Sequence, residues 1–72
     1  MDIAVDSVSR LLRTIADPNR LRIINVLTVD CESVSNIVLA TGLAQPLVSH
    51  HLRVLREHGL VRSERRGPFT FY

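Results

Sequence analysis

Between Gly42 and Leu60 the residue types and spacing suggest contact with another molecule. Pro46, Ser49, His50 and Arg53 fall on or towards one side of a single helix, with Gln45 at its start, while Val48, Leu52 and Leu55 fall on the other. Short polar groups with one long cation suit binding better than plain solvation. Their chemistry is edge-on hydrogen bonding: Gln can pair bidentately with adenine and Arg with guanine, and Leu47 can make apolar contact with a thymine methyl. Pro46 has no N–H to offer a phosphate. A second basic group, Arg62, Arg65 and Arg66, lies around Gly67-Pro68, where a basic tip could reach phosphates or the minor groove of the same duplex. In isolation, three arginines near a turn would read as a solvated loop.

Other chemistries lack their parts. Ser49 and His50 are consecutive on a helix and point about 100° apart, so they cannot act as nucleophile and base. There is no glycine-rich phosphate loop, nucleophile elbow or pair of carboxylates, which argues against an enzyme. The single cysteine, Cys31, cannot form an internal disulfide or a paired-cysteine zinc site. Flanked by Asp30 and Glu32, its one thiolate cannot chelate a metal without help; we read it as an inert thiol, with a redox or intersubunit role as the alternative. His51 and His58 share a helix side near the core edge without further ligands, so packing or local hydrogen bonding is expected of them. No cofactor and no metal site are expected.

With 72 residues the chain is expected to form one domain, residues 1–72, burying only about 60% of its unfolded surface. No apolar run approaches the roughly 18 residues of a membrane span, and Asp2 and Asp6 stand where a signal peptide would be basic. A cytoplasmic protein without membrane contact is the expectation. Charge is unevenly placed. Residues 1–44 hold four Arg against five Asp/Glu (−1), and residues 45–72 hold five Arg against two Glu (+3), giving the net +2. All cations are Arg, which matches planar acceptors such as phosphates and guanine edges better than Lys does, although genomic base composition can produce the same bias.

The elements that must position these groups are mostly helical. Val5, Val8, Leu11, Leu12 and Ile15 draw one apolar stripe on a first helix from Val5 to Ala16. Asp17 suits an N-cap and Pro18 the first position of a second helix, which runs to about Thr28 with Leu21, Ile24 and Leu27 inward and Ile23 and Val26 widening the stripe. Ser33 can cap a third helix from Val34 to about Thr41, with Val34, Ile37, Val38 and Leu39 on its buried side and Gly42 ending it. A third helix, a short turn and a fourth helix make a helix-turn-helix, whose second member reads DNA. Gly59 ends the fourth helix. Leu60 to Arg65 reads as a strand, Arg66-Gly67-Pro68 as a turn, and Phe69 to Tyr72 as a returning strand that must lean on the helices.

The ordered combination of Ala16-Asp17-Pro18-Asn19-Arg20-Leu21-Arg22-Ile23, Val48-Ser49-His50-His51-Leu52-Arg53-Val54-Leu55-Arg56, Gly59-Leu60-Val61 and Arg65-Arg66-Gly67 resembles the ArsR/SmtB repressors along nearly the whole chain. The resemblance implies a mainly α fold with a small β-hairpin, the winged helix-turn-helix of four helices plus a C-terminal wing. It also implies a transcriptional repressor that binds double-stranded DNA at an inverted-repeat operator as a homodimer. Gln45, Pro46, Ser49, His50, Arg53, Arg62, Arg65 and Arg66 are the expected DNA contacts; Arg20 and Arg22 are weaker candidates, an acid such as Asp17 being an alternative partner for one of them. Pro46 and Leu47 depart from the small polar residues common at those positions and bear on the half-site sequence. Many members sense metals through Cys-Val-Cys on the third helix, but here those positions hold Ser33-Val34-Ser35. A dimerisation helix after the wing, which carries a second kind of metal site in some members, is expected to be missing, so homodimerisation is assigned to a longer form. The alternative reading is a winged-helix protein-interaction module without DNA readout.

Overall fold

The computed structural model describes residues 2–72. Four helices, α1 (Ile3–Ile15), α2 (Pro18–Leu27), α3 (Val34–Thr41) and α4 (Gln45–Glu57), are followed by strands β1 (Glu64–Arg66) and β2 (Phe69–Phe71). The helix boundaries follow local chemistry. The Asp2 carboxylate accepts from the Ala4 and Val5 N–H groups, so α1 starts two residues before the expected Val5. At Ala16 (φ −75°, ψ 48°) the Asp17 N–H turns back onto the Ile15 carbonyl at 2.7 Å, a three-residue turn that stops α1. Asp17, extended as a residue before proline must be, then accepts from the Asn19 and Arg20 N–H groups and starts α2.

The core is one cluster in which Ile23, Ile37, Val48, Leu52 and Leu55 are fully buried. Complete burial of an aliphatic side chain stabilises a fold by about 1.5–3 kcal/mol. Three of the five lie on α4, which packs against both α2 and α3. The centre of α2 differs from expectation: Ile23 is the fully buried residue, and Leu21 is 48% exposed. Packing against both α3 and α4 turns the inward arc of α2 onto Arg20, Ile23, Ile24 and Leu27, spaced i, i+3, i+4 and i+7. Leu39 also points outward, 81% exposed, because the packed side of α3 carries Val34, Ile37 and Val38 and nothing covers the side that holds Leu39.

The apolar stripe of α1 exists but is largely uncovered. Val5, Val8 and Leu12 are 53–59% exposed, and Thr14 is the one α1 residue that is buried. The helix meets the rest of the molecule chiefly along α2.

The hairpin is shorter than expected and starts later. Leu60 and Val61 pack against the core without pairing as strand, because their side chains are drawn down onto the helices. Arg66 belongs to β1, not to the turn: Glu64 pairs with Phe71, Arg65 with Thr70 and Arg66 with Phe69. Gly67-Pro68 closes the hairpin, with the positive φ (59°) that a glycine-first two-residue turn requires. The wing is held to the helices by a short third segment. Glu32 and Tyr72 exchange two backbone hydrogen bonds (3.0 and 2.9 Å), and Ser33 bridges Phe71 just before α3 begins.

Candidate nucleic-acid interface

Helix α4 separates two faces cleanly. Val48, His51, Leu52 and Leu55 are buried, whereas Gln45, Pro46, Ser49, His50 and Arg53 are exposed. Gln45, Ser49 and Arg53 recur every four residues and so form a ridge along the open side, with Pro46 and His50 beside it. Ala44, at the N-cap position, has no side-chain acceptor, and Pro46 lacks an N–H, so the helix opens without the cap that Asp17 and Ser33 provide elsewhere. The opposite end is closed tightly. Leu60 N–H reaches the Leu55 carbonyl (2.9 Å) and Gly59 N–H the Arg56 carbonyl (3.0 Å), with Gly59 at φ 71°, the Schellman arrangement.

The wing arginines are not equivalent. Arg66 donates from Nη2 to Glu64 Oε2 at 3.0 Å and lies 4.9 Å from the centre of the Phe71 ring; the Glu64 carboxylate holds its pKa above the usual guanidinium value. Arg65, on the other face of the strand, donates from Nε to the Gly67 carbonyl at 3.1 Å. Arg53 and Arg62 have no hydrogen-bond or ion-pair partner among the described residues. Arg56 reaches Ser63 Oγ at 3.4 Å and so links the end of α4 to the run into β1.

Of the two second-helix cations, Arg22 bonds the Asn19 side chain at 2.7 Å. Arg20 turns inward. It donates from Nε to the Thr14 carbonyl (2.6 Å) and from Nη1 to His51 Nδ1 (3.4 Å), while Asp17 takes its backbone N–H rather than its guanidinium. Arg20, a weaker DNA-contact candidate from the sequence with Asp17 as the alternative partner for it or Arg22, instead lies half-buried on the inward arc of α2; its spacing of three and four residues from Ile23 and Ile24 was the available signal. His51 is 5% exposed and packs, and exposed His58 donates from Nδ1 to the Val54 carbonyl at 2.9 Å, so both serve locally.

The positions that the resemblance aligns with thiolate ligands hold hydroxyls. Ser33 Oγ caps α3 by accepting from Asn36 N–H at 3.2 Å, Ser35 is an exposed alcohol, and Cys31 is an exposed free thiol. This donor set does not fit a soft metal ion. Among the described residues no three His, Cys, Asp or Glu are placed together to hold a metal, and no helix is long and apolar enough to cross a membrane.

Four helices, a core-anchored α4 with an open polar face, and a hairpin braced on the start of α3 define a winged helix-turn-helix domain. The profile described as "Bacterial regulatory protein, arsR family" matches residues 17–63, well over half the chain, and the chain belongs to that family. It is 38% identical over 68 residues to the HTH-type transcriptional repressor SmtB of Mycobacterium tuberculosis, covering 94% of this chain and 50% of that protein. The chain thus spans about half the length of the curated relative it matches there. Among solved structures it superposes on HlyU from Vibrio cholerae with a TM-score of 0.92 at 30% identity, covering 100% of this chain and 78% of the other. It also matches the homodimeric winged helix-turn-helix DNA-binding domain of a possible ArsR-family transcriptional regulator from Mycobacterium bovis (TM-score 0.87, 32% identity, 96% and 64% covered).

Proposed function

We propose that this chain is the DNA-reading domain of a cytoplasmic transcriptional repressor that lays α4 in the major groove of double-stranded DNA and its wing along the flanking backbone. The observation that carries this reading is the exposed ridge of Gln45, Ser49 and Arg53 on a helix whose other side is locked into the core. Gln45 and Arg53 offer bidentate contacts to base edges, Ser49 and His50 single hydrogen bonds, and Pro46 a close apolar approach. Arg62, Arg65 and Arg66 supply phosphate or minor-groove contacts, and Arg66 exchanges Glu64 for the duplex. Likeness to the homodimeric Mycobacterium bovis domain supports two copies on an inverted repeat, with their helices one turn of DNA apart. This reading assigns no catalytic role, no cofactor and no metal to the chain.

Selection of bound duplexes from a random pool, in the presence and absence of metals, metalloids and oxidants, tests it. The expected outcome is an enriched palindromic site whose affinity falls steeply with salt, as several phosphate contacts require. On that site Arg53→Ala costs about 1–3 kcal/mol and relaxes one base position. Failure to enrich any sequence, with retention of a salt-insensitive protein partner instead, overturns the reading in favour of a protein-interaction module.

A further inference from the structure

His51 is the one histidine the fold buries, and the groups around it come from three elements. From α2, Arg20 Nη1 donates to His51 Nδ1 at 3.4 Å while Arg20 Nε holds the Thr14 carbonyl in the last turn of α1. From the α1–α2 junction, the Asp17 carboxylate acts on the ring across space; from α4 itself, the His50 ring lies 5.3 Å away, centre to centre. A guanidinium has no lone pair with which to accept, so Nδ1 must be the acceptor and the ring proton must sit on Nε2. The Arg20 side chain therefore ties the end of α1 to the buried face of α4.

We propose that Arg20 is a positioning residue for the DNA-reading helix, and that its bridge to His51 is a proton-sensitive clamp. A proton taken up at His51 Nδ1 removes the acceptor, sets an imidazolium against the guanidinium and loosens α4 from α1 and α2. The effect on DNA rests on the function proposed above; the clamp itself does not.

The neighbours define the direction. Burial is the largest influence and pushes His51 below its ordinary value of 6.5; Arg20 and His50 push the same way, and the Asp17 carboxylate opposes them. The folded state therefore binds this proton less readily than the unfolded chain. The clamp's full stabilisation is present above 6.5 and is lost as pH falls from there through the lowered value of the folded protein. Asp17 stays ionised across that window, because its own carboxyl is held below 3.8.

The test begins with the free chain. The His51 ring signals are titrated by NMR in the native chain, Arg20→Met and Arg20→Lys, with amide-exchange protection of residues 48–55 followed across the same pH range. In the native chain His51 is expected to titrate below 6.5, with protection of α4 falling along that titration. Loss of the guanidinium in Arg20→Met moves the His51 titration upward, and either variant lowers α4 protection at about pH 7.5. Should Arg20→Met fail to fold, Arg20→Lys and the native titration still decide. An unchanged His51 titration in folded Arg20→Met, undiminished α4 protection in folded Arg20→Lys, or flat α4 protection across the native titration overturns the clamp.

A second arm uses a duplex recovered from the random pool and compares the native chain with His51→Gln, which retains an acceptor for Arg20 but does not titrate. Native affinity relative to His51→Gln is expected to fall roughly fivefold between about pH 7.5 and 5.5, the low end for coupling between two sites. A constant ratio refutes the effect on DNA, whereas recovery of no duplex refutes the proposed function and leaves the NMR arm to judge the clamp.

Discussion

Single residues in this protein divide into those already engaged within the fold and those free to engage something else. Arg66 is committed to Glu64, whereas Arg53 and Arg62 have no partner among the described residues. Glu64→Gln is therefore expected to release Arg66 and remove a negative charge from the wing, raising affinity severalfold at low salt for all duplexes alike without changing the preferred sequence; fluorescence anisotropy against several duplexes reads this. A change confined to one sequence would instead place Glu64 at a base. Asp17 is engaged twice. It caps α2 by accepting from both the Asn19 and the Arg20 N–H groups, and the Arg20 bond is the largest influence holding its carboxyl below 3.8. Asp17→Ala should lower the unfolding free energy by about 0.5–2 kcal/mol in urea at neutral pH. Because the folded value is depressed, this contribution is fully present above 3.8 and is lost as pH falls through the lowered value, so the two unfolding curves should converge in acid.

At the scale of elements, α4 combines a weakly closed start with a firmly closed end. Gly59 makes the firm end possible: its φ of 71° lets Leu60 and Gly59 return their N–H groups to α4 and sends Leu60 and Val61 back onto the core. An added Cβ would meet nothing within 4 Å, so any cost of Gly59→Ala is one of backbone conformation. That cost is expected to be about 1–2 kcal/mol by urea unfolding, with faster amide exchange in the last turn of α4. No change in stability would mean that the end of α4 re-forms without the left-handed residue. The wing depends on a different device. Its second strand is paired on the outer side by Glu32 and Ser33, so the hairpin moves with the start of α3 and not as a free arm.

For the molecule as a whole, the main imbalance is the α1 stripe. Val5, Val8 and Leu12 are three side chains along about 10 Å of one helix, too small a face by themselves to bury the roughly 1,200–2,000 Å² of total surface that stable protein interfaces cover. These 72 residues are expected to associate weakly, sedimenting mainly as monomer at micromolar concentration; a tight dimer there would show that the uncovered stripe is sufficient by itself.

What the sequence determined by itself were the features governed by forces acting within a few residues. Asp17-Pro18, Ser33, Gly42 and Gly59 mark helix ends through caps and backbone dihedrals, and the periodicity of Val48, Leu52 and Leu55 predicts which side of α4 is open. The exposed candidates Gln45, Pro46, Ser49, His50 and Arg53 were legible for the same reason. Tertiary structure alone decided the rest. Whether Leu21 or Ile23 lies at the centre of α2 depends on where α3 and α4 press against it, and Leu39 stays outside because nothing covers its side of α3. Arg66 entered the strand because cross-strand pairing with Phe69 set the register. Arg20 and His51, 31 residues apart, meet only when α1, α2 and α4 are packed together. Local dihedral and capping preferences carry no information about such distant partners, which are chosen by burial and by the need to pair every polar group taken out of water.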